Sequence, residues 1–449
     1  MVSVRKSPRA AGSMTIRYPD AQSRSAALFE RAQQVLTDGG SRSTIRIDPY
    51  SLYVKHARGK IVTDVDGNEL IDFNNNYTSL IHGHSHPAIV AAVTKQMERG
   101  VAYSFGGEAE LVLAELLCGR SDNFEKIRFM NTGTEAVMNG IKAARAYTGK
   151  PKIAKCENAY HGSYDFAEVS LGVEPTDLST GDPVSQLYSR GTPQGVLDDV
   201  VVIPFNEVEI ARRILEENAD DLAAVLIDPF GSLMGRTPPS DAFLNMLQSF
   251  CDTHDTLFLA DEVVAFRAGS AGTQGERGIK PDLTALGKII GGGFPVGAVA
   301  GKAEVMAVFE AGGGKARLPH GGTFNANPAT MAAGHAAMQL MTDDEFARLN
   351  ELGDSFRAGI REVFELTGTD GAVQGQYSMF AMTTSDDRLD DASPRGYVYR
   401  SSGLHLYMVR HGYWLTPGLA GVLSTAMDVS DVDPFCQTLA DGIRALREQ

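Results

Sequence analysis

The chain has 449 residues, 43% of them apolar and 22% charged, with 47 Gly and 19 Pro. This is globular composition, and it excludes a disordered, collagen-like or fibrous chain. Lys plus Arg number 41 against 56 Asp plus Glu, a net charge of −15, which argues against nucleic acid or an anionic membrane as the main partner while still permitting a local basic pocket for a small anion.

Four cysteines (Cys118, Cys156, Cys251, Cys436) are scattered with no C-x-x-C pair. A disulfide framework is not expected, and a reducing cytoplasm fits this usage. No apolar run approaches a membrane span. Residues Met1–Ser13 lack the apolar stretch of a signal peptide, and residues 1–25 are expected to form a flexible tail.

Apolar spacing of helical period runs over Ala26–Thr37 and stops at Gly39-Gly40. Short strand-like runs follow at Ser51–Lys55 and Gly59–Val65, with Asp66-Gly67-Asn68 as a hairpin turn. Pro87 opens a second amphipathic helix that ends at Gly100, and a third fits Glu108–Leu117. From Lys126 the rhythm changes. Apolar runs at Ile127–Met130, Lys152–Cys156, Val200–Pro204, Ala223–Ile227, Thr256–Ala260 and Gly297–Ala300 alternate with helical stretches, among them Glu135–Tyr147, Glu207–Asn218 and Asp241–His254. Continuous apolar strands separated by helices predict an α/β domain with a mostly parallel sheet covered on both faces. It is expected over residues 61–325, with a smaller α+β domain over 326–449 that residues 26–60 join. The smaller domain opens on the small-residue helix that starts at Pro328 and continues through helices at Asp344–Thr367 and from Asp433, with a polar loop at Ser385–Arg395.

In such a sheet, ligands sit beyond the carboxyl ends of the strands. After Ile127–Met130 comes Asn131-Thr132-Gly133-Thr134-Glu135 and then a helix. A small, hydroxyl-bearing turn at a helix N-terminus is an anion site, though the same pattern also serves as a plain cap. After Thr256–Ala260 comes Asp261. A carboxylate at the end of an apolar strand needs a cationic partner, in a ligand or in a structural salt bridge. After Leu283–Leu286 come Gly287-Lys288 and, after two Ile, Gly291-Gly292-Gly293. Desolvation of such a lysine makes a neutral amine available as a nucleophile, and the glycines let a ligand approach closely. A phosphate cradle, a lysine for a Schiff base and an acidic partner for a pyridine nitrogen are together the requirements of pyridoxal phosphate.

The chain resembles the class III (fold type I) pyridoxal-phosphate aminotransferases, and within them the subgroup around glutamate-1-semialdehyde aminomutase and the β-amino-acid transaminases. The residues that carry the likeness are DVDGNELIDF (64–73), GHSHP (83–87), FMNTGTEA (129–136), AYHG (159–162), LADEV (259–263), LGKIIGGGFPVGA (286–298) and GGTFNANP (321–328). The resemblance implies a seven-stranded type of sheet in the large domain and catalytic roles for Lys288 and Asp261. Lys288 would form the Schiff base and shuttle the proton, and Asp261 would pair with the pyridine nitrogen. Gly133 and Thr134 would bind the phosphate, Tyr160 would stack on the ring, and His161 would belong to the same cofactor-binding set. Thr323 would reach the phosphate of a neighbouring subunit's cofactor, which requires a homodimer with the site at its interface.

The substrate residues implied are Arg42, Arg46 and Tyr77. Arg42 falls where β-amino-acid transaminases carry a carboxylate-binding arginine, and Arg46 where the aminomutase carries its substrate arginine. Two departures stand out. The stretch Leu415–Leu419 lacks an arginine found in related β-amino-acid transaminases, leaving Arg410 or Arg400 as substitutes. Asp228-Pro229 stands where a glutamate usually precedes the proline. Tyr413 and Trp414, either core residues or pocket walls, lie nearby. His82, His84 and His86 read as part of a strand-to-helix turn and not as a metal site. The glycine-rich segments match no dinucleotide fingerprint. The expected activity is transfer of an amino group from a β-amino acid or amine to a keto acid by way of pyridoxamine phosphate. The alternatives are an aminomutase of the glutamate-1-semialdehyde type, an aryl D-α-amino-acid aminotransferase, and a non-catalytic protein that binds pyridoxal phosphate or a metabolite.

Overall fold

In this computed structural model, which describes residues 15–231, 237–389 and 403–448, the apolar runs become strands close to where the sequence places them. β1 (Val54–Arg58), β2 (Ile61–Asp64) and β3 (Glu69–Asp72) come first. β4 (Lys126–Met130), β5 (Lys152–Cys156), β6 (Val200–Ile203), β7 (Leu222–Ile227), β8 (Leu257–Asp261), β9 (Leu283–Gly287) and β10 (Gly297–Gly301) follow. β11 (Gly371–Gln374), β12 (Met379–Thr384), β13 (Tyr413–Trp414) and β14 (Ala420–Val422) lie toward the C-terminus.

β4 to β10 form one seven-stranded sheet in the order β4-β10-β9-β8-β7-β5-β6. The run from β9 to β6 is parallel, and β10 is antiparallel to both its neighbours. Every residue of β6 to β10 is buried. The alternation of side chains explains why these strands read as unbroken apolar runs. Val200 and Val202 pack into one core layer with Ala136, Ile141 and Ala144 of the helix Gly133–Thr148. Val201 and Ile203 pack into the opposite layer with residues of the helices Val208–Asn218 and Asp241–Thr253.

Two units result, one of residues up to His86 together with Arg348 onward, the other of Pro87–Ala347. The boundaries therefore fall near residues 86 and 347, not at 60 and 325. Two pairings account for this. β3 is joined to β13 in parallel, with Ile71 beside Tyr413, in the sheet β1-β2-β3-β13. That keeps β1 to β3 with the C-terminal part. The helix Pro328–Leu340 packs on the helices Pro87–Arg99 and Glu108–Cys118, which keeps it with the central unit.

The first unit also holds the sheet β11-β12-β14 and a cluster of rings, Phe73, Phe356, Phe380, Tyr413 and Phe435, with centroid separations of 5.1–6.2 Å. The expected tail is packed from Ile16 on. Ile16 and Tyr18 are buried, the Ile16 N–H donates to the Arg410 carbonyl, and the Tyr18 hydroxyl donates to the Tyr50 carbonyl at 2.6 Å. Residues 1–14 and the part of the polar loop from 390 lie outside the described residues.

Candidate active site

β7, β8 and β9 are adjacent and parallel, with Ile227 beside Ala260 and Asp261 beside Ala285. Asp228 follows β7, Asp261 ends β8 and Lys288 follows β9. Three chemistry-bearing side chains thus stand in a row on the carboxyl edge, where open α/β sheets hold ligands. Lys288 has φ of 49°, the left-handed region. A non-glycine residue there is costly, of order 1–2 kcal/mol, and such strain clusters at functional sites. Burial pushes its amine below the usual lysine range; Asp261 and Asp228 oppose this, and Arg267 adds to it.

Asp261 is held at both oxygens. Its Oδ1 accepts the Val263 N–H at 3.0 Å, and its Oδ2 lies 2.8 Å from Nδ1 of His161. His161 is fully buried, and burial lowers its proton affinity despite the neighbouring carboxylate. A neutral imidazole that donates from Nδ1 leaves Nε2 as an acceptor, and Nε2 is buried with no hydrogen-bond partner among the described residues. Spacing alone gave no route to this contact, since the two residues are 100 positions apart. Tyr160, next in the chain, is 57% exposed.

The helix Gly133–Thr148 begins beside this row, capped by Thr132, whose hydroxyl accepts the Glu135 N–H. Its first N–H groups have no intrahelical partner, and with the positive end of the helix dipole they suit an anion. The loop after Tyr160 closes on it. The Ser163 N–H donates to Thr134 Oγ1 at 3.1 Å. Gly162, with φ of +87°, approaches so closely that a Cβ would lie 2.6 Å from that oxygen. A Cβ on Gly133 would lie 2.7 Å from Val263 Cγ1. Three further buried charges escaped the sequence reading. Lys155 donates to the Val169 and Cys156 carbonyls at 2.7 and 3.1 Å, and burial lowers it to about 8. Burial raises Glu262 to about 8 although it accepts the Thr273 and Gln274 N–H groups. Burial lowers Arg267 to about 9. A charged residue inside or just past an apolar strand was the available signal for Lys155 and Glu262.

Thr323 is not gathered into this row. It lies on an exposed loop with Phe324, on the wall of a cleft of about 690 Å³ that the helix Pro87–Arg99 also lines.

In the other unit, Arg42 and Tyr77 line a cavity of about 280 Å³ together with Asn76, Trp414 and Pro417. The Arg42 guanidinium donates to Asn76 Oδ1 at 2.8 Å. Asn75, Asn76, Tyr77 and Thr78 have φ of 48, 49, 52 and 74°, a left-handed turn of four non-glycine residues. Its strain is held by the Asn74 side chain on the Tyr77 N–H at 2.7 Å and by Asn75 Nδ2 on the Val422 carbonyl at 2.9 Å. Nothing in the sequence pattern announced this turn. Tyr77 also donates its hydroxyl to the Thr44 carbonyl.

Arg46 is already engaged. It pairs with Asp38 and, at 3.2 Å, with Asp48, and lies 5.0 Å over the Phe29 ring. Arg410 donates to the Tyr18 carbonyl at 2.7 Å, and Arg400 lies outside the described residues. The two aromatics part company: Trp414 lines the cavity and Tyr413 packs on Phe435. His84 pairs with Asp72 at 2.8 Å and His82 lies 3.0 Å from the Thr425 hydroxyl.

A mixed seven-stranded sheet whose carboxyl edge gathers a lysine, two aspartates and a helix start is the frame of an α/β enzyme. The chain belongs to the class-III aminotransferase family, whose model matches residues 44–412. Glutamate-1-semialdehyde 2,1-aminomutase of Methanothrix thermoacetophila is 38% identical over 357 residues, covering 79% of this chain and 81% of the relative. The solved structure of an omega-transaminase from Sphaerobacter thermophilus is 46% identical, with a TM-score of 0.90 over 96% of this chain and 99% of its own. A β-phenylalanine aminotransferase from Variovorax paradoxus is 30% identical, with a TM-score of 0.82 over 95% of each chain. The cofactor of this family is pyridoxal 5′-phosphate. The residues present fit it: a capped helix start for a phosphate, an amine of lowered proton affinity, and a carboxylate fixed at both oxygens. Gly162→Ala, which presses on Thr134, is expected to weaken pyridoxal phosphate binding about tenfold or more. Titration of the cofactor-free protein checks this, with circular dichroism as the control for folding.

Proposed function

We propose that this chain is a transaminase that takes an amino group from a β-amino acid or a simple amine, releases the donor as a keto compound, and passes the nitrogen to a keto acid. The observation that carries the reading is the Lys288 amine set beside Asp261 at the edge of the sheet. Pyridoxal phosphate supplies an electron sink for the bond broken at the donor carbon. The N–H groups at Gly133 and Thr134 would hold its phosphate, where they and the dipole favour an anion. Asp261 would hold a proton on the pyridine nitrogen, and His161 fixes the aspartate's orientation. Tyr160 would cover the ring face. Lys288, whose proton affinity burial lowers, would take a proton from the donor carbon and return it at the opposite end of the transfer.

Arg42 is the substrate's carboxylate handle in this reading, with Tyr77 beside it, because the Arg46 guanidinium is taken up by Asp38 and Asp48. The apolar wall at Trp414 suits an aromatic or bulky donor. Arg42→Ala is expected to raise KM for a β-amino acid about tenfold or more relative to KM for a simple amine, since only the former carries a carboxylate. An equal change for both donors contradicts the assignment.

The active unit in this reading is a homodimer. The loop that carries Thr323 also carries Phe324, 61% exposed, and Phe105 on the same cleft is 87% exposed. Apolar exposure of this size marks a surface that a partner covers, and Thr323 would then reach the other copy's phosphate. No helix among the described residues is long and apolar enough to cross a membrane. The four free cysteines support a cytoplasmic setting.

The aminomutase reading is favoured by the curated relatives of that name. It requires no external keto acid, which is how the two are told apart.

A further inference from the structure

The carboxyl edge holds more acid than the proposed chemistry uses. Asp228 and Asp261 sit side by side, because Ile227 and Ala260 are register partners on adjacent parallel strands. Alternation puts both on one face of the sheet, since Leu226 and Leu259 pack in the same core layer. Two carboxyls so placed, Asp261 buried and Asp228 half-buried, resist ionising together.

Hydrogen bonding decides which one keeps the charge. Asp261 accepts two N–H groups, from Val263 and His161. Asp228 accepts one among the described residues, the Phe230 N–H on Oδ1 at 2.9 Å. Donors stabilise the anion, so the proton falls to Asp228. The surroundings agree. Burial, Asp261 and Glu262 all raise its proton affinity, and only the Phe230 N–H and Lys288 oppose them. The other charged or titratable groups facing Lys288 and Asp261 are Arg267, Tyr160, Glu262 and the neutral His161.

We propose that Asp228 is the proton-bearing member of a two-carboxyl pair whose anionic member is Asp261, and that it acts beside Lys288 as a neutral hydrogen-bond donor. Two effects follow. The row carries one negative charge, not two, so the Lys288 ammonium loses an anion that would stabilise it and the free amine is favoured. A carboxylic O–H also stands next to that amine, ready for an electron-rich atom of whatever Lys288 holds. The shorter acid suits this: an aspartate carboxyl reaches the N–H two residues on, as the Phe230 contact shows.

This inference rests on the proposed cofactor reading only for its second readout. The first uses the cofactor-free protein. Infrared difference spectra of wild type against Asp228→Asn at neutral pH are expected to show loss of a protonated-acid carbonyl band, with the carboxylate bands unchanged. Selective 13C labelling of aspartate carboxyls in the wild type shifts that band and separates it from Glu262, which needs no variant to fold. Loss of a carboxylate band, or no label-sensitive acid band, overturns the proposal. The second readout is the pH titration of the bound cofactor's visible absorbance. Asparagine is also neutral and a donor, so Asp228→Asn is expected to move the midpoint by less than about 0.5 unit. Removing a true anion would lower it by about a unit or more, and that result overturns the proposal. If the wild type binds no cofactor, the reading of Lys288 fails and the infrared result still decides Asp228.

Discussion

Lys288→Ala is expected to abolish amino transfer, with kcat/KM reduced about 10³-fold or more. The amine is the one group in the row that can both attach the cofactor and carry a proton, and its two functions fail together. The reasons lie in three levels of the chain. The apolar run Leu283–Leu286 forms a fully buried strand, so the residue that follows emerges at the sheet edge. The left-handed φ at Lys288 turns the chain into the short helix Lys288–Gly291. Burial then favours the neutral amine. Steady-state kinetics check the loss, and the visible spectrum separates it from unfolding: the variant is expected to take up the cofactor with an altered band. Retention of activity within about tenfold would show that the base and the attachment point lie elsewhere.

Asp261→Asn should be the second most damaging change, costing about 10²–10³-fold in kcat/KM. The amide keeps the shape: its one oxygen can still accept the Val263 N–H, and its NH2 can donate to Nδ1 of His161 in the other tautomer, so the strand end is expected to stay in place. What it loses is the negative charge that, in the proposed reading, would hold a proton on a pyridine nitrogen. The expected pattern is a fall in kcat with cofactor affinity reduced and thermal stability nearly unchanged. A fall in stability with kcat preserved would mean that Asp261 serves the fold through His161 and not the chemistry.

The sheet was legible because β5 to β10 are covered on both faces, and a strand buried on both faces has few polar positions to break the run. Asp261 and Lys288 were legible for the same reason: a polar residue that ends an apolar strand marks the carboxyl edge. Asp228 stood out only as a departure from the glutamate of the resembled family. Other features depend on pairings between distant residues. The unit boundary turns on Ile71 meeting Tyr413 in a strand only two residues long, which no local pattern reports. The His161–Asp261 contact and the side-by-side placement of Asp228 and Asp261 need the strand order β8-β7-β5, which the sequence leaves open. The left-handed turn at Asn75–Thr78 contains no glycine, so the usual signal for positive φ was missing. Arg46 looked equivalent to Arg42 in sequence. Only the structure shows its guanidinium already bound to Asp38 and Asp48.

The central claim is transfer in two separable halves, and a single-turnover titration tests it most directly. The cofactor-loaded protein is mixed with β-phenylalanine, and then with a simple amine, in the absence of any keto acid. The account predicts loss of the visible cofactor band, release of one equivalent of keto product per chain, and recovery of the band when 2-oxoglutarate or pyruvate is added. A band that no donor discharges, or a product formed with no keto acid ever required, would contradict it and move the aminomutase reading ahead.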